Sequence, residues 1–218
     1  MAMTYFHVLN RGVDGRDIVL DDKDRARFVH DLYTFNDAQP AMNFLHHGRQ
    51  GILPAPARQL LVHIHAFALM KNHYHLLLSE LVENGVSLFM QKLNMGYTKY
   101  FNERYGRVGT LWQSKHKKIL IERDAHFLYI PFYIHLNPLD FNFPQWRTGA
   151  IRHPRAALAK LTEYRWSSHL DYLGIPNFPS LTNRAEIAPL LGTRSEYERT
   201  IAEIIRDPLL AGAADMLE

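Results

Sequence analysis

The 218-residue chain contains no cysteine. Disulfides, thiolate metal sites and cysteine nucleophiles are therefore excluded, and histidine, carboxylate and amide groups remain as the available metal ligands. The absence agrees with a reducing compartment. No apolar run approaches the roughly 20 residues that a membrane-spanning helix needs, and no basic-then-apolar opening resembles a signal peptide. The expectation is a cytoplasmic protein with no membrane partner. Charge of one sign is also scarce, since 25 Lys and Arg against 22 Asp and Glu leave a net charge of +3. The pI is nonetheless about 9.1, and Lys115-His116-Lys117-Lys118 concentrates the basic residues. Such a balance permits a nucleic-acid partner without demanding one.

Histidine is what the chain has in quantity, 13 in all. The most informative stretch is His73-Tyr74-His75, bounded by Phe67-Ala68-Leu69-Met70 and Leu76-Leu77-Leu78. It reads as a strand, in which residues i and i+2 project from the same face. Two neutral imidazoles about 6 to 7 Å apart along a strand can aim lone pairs at one divalent ion. Sheet histidines satisfied by hydrogen bonds give the same pattern. His63 and His65 form a second such pair. If Lys71-Asn72 is a two-residue turn, Ala68 faces His75 and the odd-numbered residues of the first strand point away from the metal; an odd-length turn reverses this.

The remaining elements follow from capping and periodicity. Thr4 to Asn10 is β-rich and ends at Arg11-Gly12, and Asp21 or Asp22 caps a helix through Phe28, Leu32 and Phe35. Residues 37–58, with three prolines and two glycines, read as a long connecting loop or insertion. Leu60 to Met70 forms an antiparallel hairpin with the strand of His73 and His75. Val86 to Tyr105 has helical spacing, with Gly106 beyond its end. Lys117 to Glu122 is a fourth strand, and Asp124 caps a helix stopped by Asn137-Pro138. The order β-α-β-β-α-β-α predicts an α+β fold of the ferredoxin-like, split βαβ type. Its four-stranded antiparallel sheet carries helices on one face. The expected organisation is a catalytic domain over 1–138 and a C-terminal extension over 139–218 packed on it.

Tyr133 and Asn137 lie four apart near the end of that last helix, on one face. Aromatic core packing and an ordinary Asn-Pro helix stop account for the segment alone. In combination, however, Tyr5-Phe6-His7-Val8-Leu9-Asn10-Arg11-Gly12, Met70-Lys71-Asn72-His73-Tyr74-His75, Gly109-Thr110-Leu111-Trp112-Gln113-Ser114-Lys115 and Tyr133-Ile134-His135-Leu136-Asn137-Pro138 resemble four ordered motifs of the single-tyrosine HUH transposases. Tyr164-Arg165-Trp166-Ser167-Ser168-His169 is similar to the tail of the branch associated with repetitive extragenic palindromes, the REP-associated tyrosine transposases. Two departures stand out: Ser114-Lys115 replaces a more usual Gly-Arg, and the 37–58 loop is long.

The resemblance implies metal-dependent cleavage and strand transfer of single-stranded or stem-loop DNA. Tyr133 would be the nucleophile that forms a 5′-phosphotyrosine, and Mg²⁺ or Mn²⁺ would be held by His73, His75 and Asn137. A phenol is only about 0.1 % ionised at neutral pH, so a cation is needed near Tyr133; Lys117 and Lys118 are candidates. Arg11, Trp112, Lys115, Lys117 and Lys118 are the expected DNA contacts, by charge and base stacking; a solvated basic edge strand is the plain alternative. Tyr97, Tyr100 and His135 read as structural. The rival functions are a single-strand-binding module that does not cut and a histidine-metal hydrolase that uses water. A monomer is favoured over a homodimer because the extension is long.

Overall fold

The computed structural model describes residues 3–40, 57–122, 124–148, 151 and 153–207. The sheet is built from β1 (Tyr5–Arg11), β2 (Val62–Leu69), β3 (His73–Glu80) and β4 (Lys117–Leu120). Their spatial order is β2-β3-β1-β4, and every neighbouring pair is antiparallel. Two helices, α1 (Asp22–Thr34) and α2 (Gly85–Tyr105), alternate with the strands in the split βαβ order, and α3 (Asp124–Leu136) follows β4. The α+β class and the ferredoxin-like sheet are as expected from the sequence, but the helices, expected on one face, cover both, with α1 and α2 on one side and α3 on the other.

Local chemistry explains the boundaries. The Asp21 carboxylate accepts hydrogen bonds from the Lys23 and Asp24 amides at 2.9 and 3.0 Å, capping α1. Gly106 ends α2 with φ of 58°, the left-handed cap that glycine adopts without penalty. Asp24 is buried at the start of α1 and accepts from the Leu20 amide and the hydroxyls of Tyr100 and Tyr105 at 2.7 to 2.9 Å. Arg104 also pairs with it. Tyr97 donates to the Ile18 carbonyl at 2.7 Å. These contacts tie α1 to α2 and make Tyr97 and Tyr100 structural.

The two faces of the sheet carry separate cores. Val8, Tyr74, Leu76 and Leu78 pack with Phe28, Leu32, Phe89 and Leu93 of α1 and α2. On the opposite face Ala66, Ala68 and Leu77 pack against Tyr129, Ile130, Tyr133 and Ile134 of α3. Helix α3 is apolar all round because it is covered twice: the sheet lies beneath it, and above it lie four helices, α4 (Pro154–Glu163), α5 (His169–Tyr172), α6 (Ala188–Leu191) and α7 (Arg194–Arg206). Its His135 is buried between Ser168 (2.7 Å) and Tyr197 (2.8 Å), a structural role. Within the segment 139–207 the chain also runs along β2, an edge strand. The amide of Leu69 donates to Trp166 O, Ser168 N donates to Phe67 O, and Asn183 N donates to Ile64 O, at 2.8 to 3.0 Å. The outer backbone groups of β2 are thereby paired instead of offered to another chain.

The base of the expected 37–58 insertion is closed by a hydrogen bond from Ala38 N to Gln59 O at 2.8 Å; residues 41–56 lie outside the described residues. Among the described residues no helix is long and apolar enough to cross a membrane.

Gly12 terminates β1, donates its amide to Asn72 O at 2.8 Å, and sits against the backbone of Arg16, where an added Cβ would overlap the carbonyl oxygen. Gly12→Ala is expected to destabilise the fold by about 1–3 kcal/mol, the usual effect of overpacking against atoms that cannot swing away. Urea unfolding checks this: the midpoint falls with an unchanged slope.

Candidate metal and tyrosine site

The β1–β3 pairing brings Arg11 opposite His73, Leu9 opposite His75, and His7 opposite Leu77. Partners across an antiparallel pair share a face, so His7, His73 and His75 all project toward α3. The imidazoles of His73 and His75 lie with ring centroids 5.0 Å apart. His7 stacks on His75 at 5.2 Å, with His7 Nε2 3.0 Å from His75 Nδ1. His73 Nδ1 lies 2.6 Å from Asn72 Oδ1, an acceptor only, so Nδ1 carries the proton and Nε2 is the unprotonated nitrogen. The Nε2 of His75 is buried without a hydrogen-bond partner. Burial first, then the nearby His7, His73, Arg147 and Arg11, pushes the His75 imidazole well below its ordinary pKa. A neutral imidazole with an unsatisfied nitrogen beside a second imidazole suits a divalent ion.

Tyr133 stands edge-on to both histidine rings, with centroids 5.7 Å from His75 and 6.0 Å from His7. It is 0 % exposed. Its hydroxyl accepts a hydrogen bond from Arg147 Nη1 at 3.0 Å, and Arg147 Nη2 donates to Asn137 Oδ1 at 2.9 Å and to Asp140 Oδ2 at 2.9 Å. Burial works against the Arg147 charge, but the Asp140 hydrogen bond and the charge pairing with Tyr133 and Asp140 outweigh it and raise its pKa. The Asn137 amide donates to Tyr133 O at 2.8 Å. Asn137 thus shares the Tyr133 neighbourhood, and its side-chain oxygen is engaged by Arg147.

An open cleft of about 410 Å³ adjoins the histidines, lined among others by Asn10, Arg11, His73, His75, Gln113 and Lys117. Arg11 and Lys117 are therefore where a phosphate approaching His73 would meet charge. Lys115 is exposed in the segment leading into β4. Lys118 is not in this cleft: it pairs with Val8 across β1–β4 and so points to the other face, where it lies 4.0 Å over the Phe6 ring and 2.9 Å from Glu80. Trp112 corrects the expectation of an exposed stacking platform. It is only 7 % exposed, edge-on to Tyr74 at 5.4 Å, and its indole donates to Asn94 O at 3.1 Å.

Sequence reasoning missed His7 and Arg147. Only knowledge of the β1–β3 register could have put His7 beside His75, and Arg147 reaches Tyr133 from a 3-10 turn (Pro144–Thr148) after the helix. The cation expected near the phenol is this arginine, not Lys118. His63 and His65 also do not join His73 and His75; they lie toward the opposite end of β2 with Glu186.

Residues 50–137 match the family model described as Transposase IS200 like. That stretch holds the His73 and His75 pair, Tyr133 and Asn137, and the resemblance read from the motifs is borne out there. Among solved structures the chain is similar to one of a REP-associated tyrosine transposase bound to a REP hairpin, with 13 % identity, 83 % of this chain and 88 % of that chain covered, and a TM-score of 0.49. No curated protein matches the chain.

The His75 environment sets a pH response. In the unfolded chain His75 takes a proton near its ordinary value of about 6.5, whereas the folded imidazole resists it. Folding stability is therefore expected to fall as pH drops below about 6.5, because the unfolded state binds more protons there. Side-chain NMR should show His75 still neutral at about pH 6, well inside the ordinary titration range; a normal midpoint would contradict the buried, unprotonated assignment.

Proposed function

We propose that this protein cleaves single-stranded or stem-loop DNA and transfers the strand through a covalent tyrosine intermediate, as a monomer. The observation that carries the reading is the placement of the Tyr133 ring edge-on to His75, within a segment that matches the IS200-like model. His73 and His75 would hold Mg²⁺ or Mn²⁺ through their Nε2 atoms, with Asn137 as a third ligand once its oxygen is released from Arg147. When bound, such an ion supplies Lewis-acid stabilisation of the phosphate and of the departing oxygen.

The residues of the chain divide the remaining work. Arg11 and Lys117 bind the DNA backbone at the cleft. Arg147 orients the phenol and favours its ionised form by charge. Because Tyr133 is covered, the Pro144–Thr148 turn has to move aside before attack. The Tyr133 oxygen then bonds to phosphorus, the bond from phosphorus to the 3′ oxygen breaks, and that oxygen takes up a proton. The 5′ phosphate is now esterified to Tyr133, and a free 3′-hydroxyl on another strand can reverse the step with no loss of the phosphoester bond. The complete burial of Tyr133 favours one rival, a module that binds single strands without cutting them.

Incubation with stem-loop oligonucleotides and Mn²⁺, followed by denaturing electrophoresis and peptide mapping, separates these readings. Tyr133→Phe keeps the ring and removes the nucleophile, so cleavage and adduct are both expected to vanish, as they should for the wild type in excess chelator. No adduct from the wild type on any hairpin would leave the binding module, whereas efficient cleavage by Tyr133→Phe would point to a water-using hydrolase.

The two lysines give a second test. Lys117→Ala is expected to weaken single-strand binding and to reduce the salt slope by about 0.7 for the lost phosphate contact. Lys118→Ala, on the other face and paired with Glu80, is expected to change it much less. Fluorescence anisotropy across a salt series reads both, and equal effects would relocate the DNA path.

A further inference from the structure

The β2–β3 register shifts at one point: Ala66 pairs with Leu77, but Ile64 pairs with Leu78. His65 is thus the extra residue of a β-bulge, a device that re-aims side chains. The shift places His63 opposite Ser79, on the face of α3. His65 stays on that face too, its Nε2 2.8 Å from Ser79 Oγ. Glu186, brought in by the C-terminal extension, lies with Oε1 3.7 Å from His63 Nδ1 and Oε2 3.9 Å from His65 Nε2. The three ligand atoms fall within 4.8 Å of one another, and among the described residues no other three His, Cys, Asp or Glu side chains do so.

The donors are prepared for a cation. His65 Nδ1 lies 3.0 Å from the Asn183 carbonyl, which only accepts, so the proton is on Nδ1 and Nε2 offers a lone pair. A backbone carbonyl on the far nitrogen is the partner that fixes tautomer and ring orientation in histidine ligands. Burial of His65 lowers its pKa to about 4, so the lone pair is not taken by a proton at neutral pH. His63 Nδ1 is buried with no hydrogen bond. Tyr5 donates to Glu186 Oε2 at 2.8 Å and so orients the carboxylate.

We propose that His63, His65 and Glu186 form a second metal site, for a transition-metal ion of the Zn²⁺ class, which clamps the C-terminal extension to the end of β2. Two imidazoles and a carboxylate, with room for water in the fourth position, are a common Zn²⁺ donor set. Tetrahedral bonds of about 2.0–2.1 Å place donors roughly 3.3 Å apart, so each histidine and the carboxylate, now 3.7 and 3.9 Å apart, must close by about half an ångström, and the two histidine nitrogens, within 4.8 Å of each other, by at most about 1.5 Å. The ion replaces the Ser79 hydroxyl as the partner of His65 Nε2, and water completes the fourth position. Ser79 lies four residues along β3 from His75, about 13 Å at the strand rise, so this site is separate from the one beside Tyr133 and independent of the transfer chemistry.

Cobalt(II) reports tetrahedral coordination in the visible spectrum, and Zn²⁺ affinity can be read by competition with a chromogenic chelator. We expect a tight equivalent that the full chain and His73→Ala share. His63→Ala and Glu186→Gln, both at partly exposed positions, should bind at least about tenfold more weakly, a loss of the size seen for disrupted metal shells. Zn²⁺ should also raise the melting temperature of the full chain but not of Glu186→Gln, since only the native state holds the ion. Equal affinity across all four proteins, or a loss confined to His73→Ala, overturns the assignment, as does the absence of any tight equivalent.

Discussion

The antiparallel pairing of β3 with β1 is the constraint on which the rest depends. Because side chains alternate along each strand, that one register decides that His7, His73, His75, Leu77 and Ser79 all share a face. A slip by one residue would send the histidines into the core under α1 and α2 and bring Tyr74 and Leu76 up against α3. The pairing is held by composition as much as by hydrogen bonds. Val8, Tyr74, Leu76 and Leu78 have a large apolar core waiting on one side, and Ala66 and Ala68 are small enough for α3 to approach closely on the other.

The second determinant is the chain after residue 138, which contributes to the site as well as covering it. Arg147 joins the Tyr133 hydroxyl, the Asn137 oxygen and Asp140 in one network. Ser168 links the backbone of β2 at Phe67 to the ring of His135 within α3. Strand, tyrosine helix and extension are thus coupled through directional polar contacts in an otherwise apolar interior, where leaving one such group unpaired is costly.

Much of this was legible in the sequence, for physical reasons that differ by element. The Asp21 cap, the Gly106 stop and the Lys71-Asn72 turn are local signals, and each stands where local chemistry predicts. The strand of His73 and His75 was clear from its apolar flanks, whereas the spacing of Tyr133 and Asn137 says only that they share a helix face, and their roles were implied by the resemblance. What was not legible depended on pairing between distant segments. His7 looks like any residue of a β-rich run until its neighbour strand is known. The stretch His63-Ile64-His65-Ala66 alternates as a regular strand does, and nothing in it marks an extra residue. The basic pair Lys117 and Lys118 divides between two faces, as neighbours on a strand must, but only the pairing of β4 with β1 says which of them joins the histidines. Trp112 is buried because its indole finds a carbonyl partner in α2, a contact composition does not reveal.

Pro131 lies inside α3 and has no amide hydrogen to give. The helix nevertheless persists to Leu136, one turn past the interruption, and its apolar surface on both sides is what holds it there. A polypeptide ending at residue 138 would keep every residue that the IS200-like model matches, yet would strip the outer half of that helix and the open edge of β2 of their cover. A fragment designed from the signature alone would therefore expose apolar helix surface and an open strand edge, both of which favour self-association.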